Sequence, residues 1–163
     1  MKKPLLYIDI DGVILGRGAT GWDGPCLARN TGEFIRFALD NYNCRWLTTH
    51  SRDGDGKRIL YVLKPHCDKE LLGLFKKIKP AKWNTLKSEA IDLKSDFYWI
   101  DDSPLRAELD ALEAGGRRDR LLVVDTKRET NGLNRVMGEL RDREQSIVAR
   151  RKSTVESRRT TGD

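Results

Sequence analysis

The sequence lacks the features that mark several classes of protein. It has three cysteines in 163 residues, an odd number at irregular spacings and without a Cys-x-x-Cys pair. That pattern excludes a zinc cluster built on paired cysteines and predicts reduced thiols rather than a disulfide framework. No apolar run approaches the ~20 residues that a membrane-spanning helix requires. The cysteines are Cys26, Cys44 and Cys67.

A secretory leader is not expected either, although the chain opens with Met1-Lys2-Lys3. Two carboxylates, Asp9 and Asp11, interrupt the apolar run that follows, and no small-residue cleavage site comes after it. We therefore expect a cytoplasmic protein with no membrane partner.

The composition is that of one domain. A hydrophobic fraction of 38% and a charged fraction of 34% in 163 residues predict a real core under a well-solvated surface. Neither an internal repeat nor a linker marks a second domain. The net charge of +6 favours acidic partners, but its cations are spread along the sequence and identify none of them.

The most informative stretch is Leu5–Val13, with the sequence LLYIDIDGV. It begins with apolar residues that suit a buried strand, and Asp9 and Asp11 follow two positions apart before Gly12. Residues i and i+2 of a strand share a face and lie roughly 7 Å apart, which admits a metal ion or a phosphoryl group between them. Because like charges at the end of a buried strand are costly unless a cation accompanies them, this stretch predicts a functional site.

Strand-like and helix-like segments alternate along the rest of the chain. Short apolar runs predict strands at Cys44–Thr48, Phe97–Ile100 and Leu121–Val124, with another short strand near Ile78. Apolar residues at helical spacing predict helices at Thr31–Asn41, Ile59–Leu63, Lys69–Ile78, Leu86–Leu93 and Leu105–Ala114, and from Gly132 onward. The alternation predicts a three-layer, Rossmann-like α/β fold with a mainly parallel sheet.

Local signals add detail to this outline. Asn30 is expected to cap the first helix, with Glu33 completing a capping box, and Asn84 or Thr85 to cap the helix at Leu86. Glycines after the first strand indicate a tight loop or hairpin over the site. The residues of that loop are Gly12, Gly16, Gly18, Gly21 and Gly24, with Trp22 as a candidate anchor and substrate contact.

The C-terminal segment has a different character from the rest of the chain. Beyond Arg141 it is polar and rich in arginine. We expect a domain at 1–140 followed by a basic helix extension or tail at 141–163. A nucleic-acid-binding arm is the less favoured interpretation, because acidic residues interrupt the arginines.

In a parallel sheet the carboxyl ends of the strands meet at one edge, where ligands bind. Lys87 is expected at the same edge because it lies in the first turn of a predicted helix that runs antiparallel to the strands. That helix covers about 12 Å away from the edge, and the strand that follows covers about 16 Å back to it, ending at Asp101. Lys82 is the alternative lysine, and Asp125 is expected to cap the turn that follows it rather than to bind metal. The other polar residues at the predicted edge are Asp9, Asp11, Thr48, Thr49 and Asp102.

These motifs resemble those of the haloacid dehalogenase (HAD) superfamily. Asp9-Ile10-Asp11-Gly12-Val13 after a buried strand resembles its first motif, and Thr48 after a strand resembles its second, with Thr49 as the alternative. Lys87, or else Lys82, would be the third motif. Asp101-Asp102 after Trp99-Ile100 resembles the fourth. The resemblance covers residues 5 to 102 and implies a HAD-like catalytic domain.

The resemblance implies a role for each motif residue in phosphate chemistry. Asp9 would be the nucleophile that forms an aspartyl-phosphate, and Asp11 the general acid and then the general base. Thr48 would hydrogen-bond the phosphoryl oxygens and Lys87 would offset negative charge. A second aspartate two residues after the nucleophile marks phosphatases and phosphotransferases in this superfamily, whereas dehalogenases lack it.

The resemblance also implies a cofactor, Mg²⁺, a hard ion that prefers oxygen ligands. Asp9, the Asp11 carbonyl and Asp101 would hold it, with Asp102 close behind. Four other residues are candidates for contacts to the substrate, although a solvated loop is an equal interpretation for Arg52 and for its neighbour His50. These four are Gly12, Thr49, Arg52 and Lys82.

Members of this superfamily carry a cap domain after the first motif or between the second and third. Here the first gap has room for little beyond a flap and one helix, and the second, His50 to Thr85, for two short helices. The resemblance therefore implies a capless or minimally capped member. Such an open site suits a bulky phosphorylated substrate, such as a nucleic-acid end or a phosphoprotein, or a small metabolite if oligomerisation covers the site.

The expected function is a magnesium-dependent phosphatase that works through an aspartyl-phosphate on Asp9. A narrower alternative is a polynucleotide phosphatase acting on terminal phosphates, favoured by the open site, the basic balance and Arg52. A non-catalytic HAD-like binding or regulatory module is the alternative from another class. The sequence leaves the substrate and the oligomeric state open.

Overall fold

The computed structural model describes residues 3–17 and 24–160, with side chains up to residue 149. Trp22, Gly18 and Gly21 of the predicted flap lie outside the described residues. The strands are β1 (Leu5–Ile8), β2 (Leu15–Arg17), β3 (Pro25–Leu27), β4 (Asn43–Trp46), β5 (Lys79–Pro80), β6 (Phe97–Asp101) and β7 (Leu121–Val123). The helices are α1 (Thr31–Asn41), α2 (Lys57–Leu63), α3 (Lys69–Phe75), α4 (Arg106–Ala114) and α5 (Gly132–Thr160). Short 3₁₀ helices lie at Thr49–Ser51, Lys64–His66, Lys87–Ala90 and Arg118–Arg120.

Five of the strands form a parallel sheet in the order β5-β4-β1-β6-β7. The chain fills one half of the sheet from β1 outward to β5 and then crosses back to build the other half from β6. The strand order therefore reverses between β1 and β6. In open parallel sheets the ligand crevice lies at this reversal, beyond the carboxyl ends of the strands. The α/β class and the mainly parallel sheet predicted from the sequence are confirmed.

Alternating side chains on the buried strands create two apolar layers. Leu6 and Ile8 of β1 join a cluster with α1, α2, α3 and α5 on one face of the sheet. Tyr7, between them, joins a second cluster on the other face with Leu112 of α4. The two-residue period of a strand forces this division. The sheet is thus covered by helices on both faces, which gives the three predicted layers.

The first helix occupies the predicted residues, but the predicted capping box is wrong. Asn30 has a left-handed backbone, with φ of 64°, and its side chain makes no capping hydrogen bond. A side-chain cap of the usual kind needs an extended backbone at that position. The start of the helix is held instead by the Thr31 hydroxyl, which donates to the Ala28 carbonyl at 2.7 Å.

The predicted helix at Leu86–Leu93 is a shorter 3₁₀ helix, Lys87–Ala90, and neither Asn84 nor Thr85 caps it. The Glu89 carboxylate accepts backbone N–H groups of three residues, Asn84, Thr85 and Leu86, at 3.0–3.2 Å. The backbone at Ile91 is already extended, with φ of −95° and ψ of 117°, so the helix cannot continue. A side chain within the turn therefore fixes the path of the chain into Lys87.

The insertions between the motifs are small. In the first gap, β2 and β3 pair as an antiparallel hairpin before α1. In the second, between residues 50 and 85, the chain forms α2, α3, the 3₁₀ helix at Lys64–His66 and β5, which belongs to the main sheet. The two short helices expected there are confirmed, and the whole segment from 50 to 85 is described and contains no separate domain.

The last helix runs across the boundary predicted at residue 140. Leu133, Val136, Met137 and Leu140 are buried, as their helical spacing predicts. The helix then continues to Thr160, and the Arg141 guanidinium lies 4.9 Å from the centre of the Phe37 ring.

Among the described residues, no helix combines the length and the apolar character that crossing a membrane requires. All three cysteines are unpaired.

Candidate active site

The structure brings three carboxylates together at the reversal of strand order. Asp9 follows β1 directly, Asp101 ends β6, and Asp102 is the next residue. Each offers an oxygen within 4.8 Å of the others, an arrangement that could hold a metal ion. Asp9 is 5% exposed and Asp101 is 1% exposed. Two acidic side chains are therefore almost removed from water, which is costly unless cations compensate them.

Lys87 supplies part of that compensation. Its Nζ lies 2.8 Å from Oδ2 of Asp9 and 2.6 Å from Oδ2 of Asp101, and only 11% of its side chain is exposed. Lys82, the alternative lysine, is exposed and lines a separate cavity beside Arg52 and Trp83. Of the two lysines, the structure therefore places Lys87 between the carboxylates.

A buried glutamate that the sequence analysis did not single out positions Lys87. Glu108 in α4 is 2% exposed, and its Oε1 accepts the backbone N–H of Lys87 at 2.6 Å. Its Oε2 accepts the backbone N–H of Leu105 at 2.8 Å. One carboxylate thus ties the start of α4 to the turn that carries the lysine. The signal in the sequence is an acidic residue in the third position of a helix, where it can bond the backbone at the helix start.

We expect Glu108→Gln to lower the free energy of unfolding by about 1 kcal/mol, because one partly buried N–H loses its acceptor. A glutamine replaces one of the two carboxylate oxygens by an NH₂ group, which cannot accept, so either Lys87 or Leu105 loses the oxygen that it contacts. Urea denaturation measures the effect, with Glu113→Gln on the exposed side of α4 as the matched control. Equal stability of the two variants would contradict the anchoring role.

The charges of the cluster do not balance. Burial and the neighbouring Asp101 carboxylate raise the pKa of Asp9 to about 7, although Lys87 and the Ile10 N–H oppose the shift. Burial lowers the pKa of Lys87, but Asp9 and Asp101 outweigh it and the net shift is upward. The lysine therefore stays charged while Asp9 tends to hold a proton. One ammonium thus faces three carboxyl groups, so a further cation would be favourable there.

Asp102 is held against the first motif by close backbone packing. Gly12 has φ of 71°, a left-handed conformation that favours glycine, and a Cβ there would overlap the Asp102 carboxylate. The Gly12 N–H donates to Leu15 O, and its carbonyl accepts from Thr126 N, both at 2.8 Å. Both backbone polar groups of Gly12 are therefore used within the protein, and its N–H already has an acceptor and is not offered to a substrate. Burial and then Asp101 raise the pKa of Asp102, opposed in part by Lys127 and Lys87.

Asp11 lies apart from the three-carboxylate cluster. Its Oδ2 is 2.7 Å from Nε2 of His50, and half of its side chain is exposed. His50 belongs to the 3₁₀ helix that follows Thr48, and its backbone N–H donates to the Thr48 hydroxyl at 3.3 Å. The Thr48 carbonyl in turn accepts from the Trp83 indole at 3.1 Å. The loop that begins at Thr48 therefore holds His50 against Asp11.

The remaining substrate candidates lie along the same loop. Thr49 is exposed at the start of the 3₁₀ helix. The Arg52 guanidinium stacks over the Trp83 ring at 4.7 Å and donates to the Asn84 carbonyl.

Asp125, after β7, caps its turn through Oδ1, which accepts the Lys127 N–H at 3.0 Å, as predicted.

The arrangement has the parts that phosphoryl transfer uses. It combines a buried carboxylate beside an ammonium, two further carboxylates able to bind a hard cation, and a half-exposed carboxylate, Asp11, two residues after Asp9. The same parts could also serve cation binding alone. Comparisons of the chain with protein-family models, with curated proteins and with solved structures each found no match.

Proposed function

We propose that this chain is a HAD-type, magnesium-dependent phosphohydrolase that works through an aspartyl-phosphate on Asp9. The observation that carries the proposal is the buried contact of Lys87 with both Asp9 and Asp101, at 2.8 Å and 2.6 Å. These residues come from three separate segments, and the motif order of the HAD superfamily predicts their meeting. A parallel sheet whose order reverses between β1 and β6 agrees with that fold.

The donor set fits Mg²⁺. Asp9, Asp101 and Asp102 offer carboxylate oxygens, the ligands that this hard ion prefers, and Lys87 alone leaves their charge incompletely compensated. These three carboxylates would hold the ion, and the Asp11 carbonyl is the further ligand that the resemblance implies. When bound, Mg²⁺ would stabilise negative charge on the transferring phosphoryl group.

The chain's own residues then divide the reaction into two steps. A carboxylate oxygen of Asp9 attacks phosphorus, the bond from phosphorus to the ester oxygen breaks, and Asp11 gives its proton to the departing alcohol. In the second step Asp11 takes a proton from water, whose oxygen attacks the phosphorus, and Asp9 is released with inorganic phosphate. His50 occupies Oδ2 of Asp11, which leaves Oδ1 for these proton transfers. Lys87 offsets charge on Asp9 and on the transferring group.

Thr48 has a supporting role in this scheme. Its hydroxyl accepts a hydrogen bond from the His50 backbone and still has its own proton to donate, as the resemblance requires for a phosphoryl oxygen. The same residue therefore links the phosphoryl site to the histidine that holds Asp11.

The proposal is tested with a panel of phosphate monoesters, assayed with Mg²⁺ and after chelation. We expect turnover of at least one ester only in the presence of the metal. Sulfate esters of the same alcohols are the control, since they cannot form an aspartyl-phosphate. Failure to hydrolyse any ester, together with retained Mg²⁺ binding, would favour the non-catalytic module instead.

The pKa of Asp9 predicts how magnesium binding depends on pH. Because the folded-state pKa, about 7, exceeds the unfolded value of 3.8, the metal-free protein loses stability as the pH rises from about 4 to about 7. Mg²⁺ must displace the proton from Asp9, so the increase in melting temperature that it produces should grow from about pH 6 to about pH 8. Thermal denaturation with and without Mg²⁺ measures this difference, and a metal effect that does not change over this range would contradict it.

A further inference from the structure

A cavity of about 510 Å³ opens beside Asp11, between the β2–β3 hairpin and the loop after β7. That volume lies within the range of small-molecule sites, about 300–1,000 Å³. In the proposed reaction Asp11 protonates the departing alcohol, so the cavity that Asp11 lines is on the leaving-group side. The part of the substrate beyond the scissile phosphate would therefore enter this space.

The walls of the cavity are held together by close backbone contacts. A Cβ at Gly16 would lie 2.9 Å from the Thr126 carbonyl oxygen, so only glycine lets β2 approach the loop this closely. Thr126 N donates to Gly12 O at 2.8 Å, and the Asp125 carboxylate caps the turn at Lys127. Arg17 at the end of β2 and Lys127 in the loop are thereby brought to the same cavity.

The charge of the cavity is the informative feature. Its described lining carries two cations, Arg17 and Lys127, and one carboxylate, Asp11, which already contacts His50. The cavity lined by Lys82 and Trp83 has a mixed lining, with Arg52 and Lys82 offset by Asp53 and Glu89. The cavity beside Asp11 is thus suited to an anionic ligand, and the one beside Lys82 shows no such bias.

We infer that this cavity is a leaving-group subsite for a second phosphate, so that the preferred substrates are phosphate monoesters whose alcohol carries another phosphate or a phosphodiester. Arg17 and Lys127 would bind that second group through charge-assisted hydrogen bonds, which are stronger than neutral ones. The inference rests on the proposed function for its direction, since Asp11 defines the leaving-group side. A nucleoside bisphosphate and the phosphorylated end of a nucleic acid share this chemistry.

The test compares adenosine 3′,5′-bisphosphate with the two adenosine monophosphates and with a short 5′-phosphorylated oligonucleotide. We expect kcat/KM to be at least about 10-fold higher for substrates with a second phosphate, and Lys127→Ala to reduce that ratio about 10-fold. Lys127→Arg should retain the ratio, and Lys69→Ala, which removes an exposed charge on α3, should leave it unchanged. A higher rate for the oligonucleotide than for the bisphosphate identifies nucleic-acid ends as the source of the second phosphate, and the reverse identifies small bisphosphates.

A binding measurement separates failure of the subsite from failure of the proposed function. Asp9→Asn protein, which should not turn over substrate, is titrated with the bisphosphate and with the monophosphates by calorimetry. We expect tighter binding of the bisphosphate by about 10-fold, lost in the Asp9→Asn, Lys127→Ala double variant. Equal affinities would overturn the subsite even if phosphatase activity is found. Unequal affinities without any turnover would support the subsite and contradict the proposed function.

Discussion

Asp9→Asn is expected to reduce magnesium-dependent phosphatase activity by at least about 1,000-fold, because a carboxamide cannot act as the nucleophile. Asparagine has nearly the shape of aspartate, and its oxygen can still accept the Ile10 N–H that Asp9 Oδ1 accepts at 2.8 Å. The fold should therefore survive, while the stabilisation by Mg²⁺ falls because one carboxylate ligand is gone. Steady-state kinetics and thermal denaturation with and without Mg²⁺ measure the two effects.

The matched control for this change is Asp40→Asn, at an exposed position of α1. It removes the same charge away from the carboxyl ends of β1 and β6, so it should leave both the phosphatase activity and the stabilisation by Mg²⁺ unchanged. If Asp9→Asn kept more than a tenth of the wild-type rate, Asp9 would not be the nucleophile. A loss of activity without any loss of magnesium stabilisation would place the metal on other residues.

Lys87→Met is expected to lower the free energy of unfolding of the metal-free protein by about 3 kcal/mol near neutral pH. Methionine has a similar length but no charge, so Asp9 and Asp101 lose the ammonium that contacts both of them at 2.6–2.8 Å. Without it, the pKa of Asp9 in the folded protein rises further above its unfolded value. The destabilisation should therefore be smaller at about pH 4, where Asp9 is protonated in the folded protein, than at about pH 8.

Lys82→Met is the matched control, because the same chemical change at this exposed lysine should leave stability nearly unchanged. Urea denaturation of both variants at the two pH values measures the difference. Equal effects of the two substitutions would mean that the buried contact of Lys87 contributes little. Comparing their phosphatase rates also distinguishes which lysine serves the proposed reaction, with Lys87→Met expected to lose activity and Lys82→Met to retain it.

Much of the sheet edge could be predicted because its signals are local. The apolar runs before Asp9 and before Asp101 indicate buried strands, and a parallel sheet brings the ends of such strands to one edge. The four buried residues at the start of α5 follow from a helical period in the sequence. These features depend on residues close together in the chain, so the sequence alone is sufficient to predict them.

Lys87 lies beside Asp101, at the sheet edge where it was expected, but the local structure that brings it there differs from the predicted one. The expected eight-residue helix is a four-residue 3₁₀ helix, and Glu89 and Glu108 set the path of the chain there. The predicted capping box at Asn30 does not form because a side-chain cap requires an extended backbone, and the residue types alone do not specify the φ angle at that position. Neither difference could be seen without the three-dimensional arrangement.

Periodicity and residue order along the chain were sufficient to predict the α/β class, the parallel sheet and the two acidic strand ends, Asp9 and Asp101. The packed structure was needed to place Lys87, and not Lys82, in the cluster of carboxylates. It also placed His50 on Asp11 and brought Glu108 to the backbone of Lys87. Those contacts join residues at least 14 apart in the chain, and their partners depend on how the chain packs. An ion pair or hydrogen bond between distant segments leaves no periodic pattern in the sequence, whereas a buried strand does.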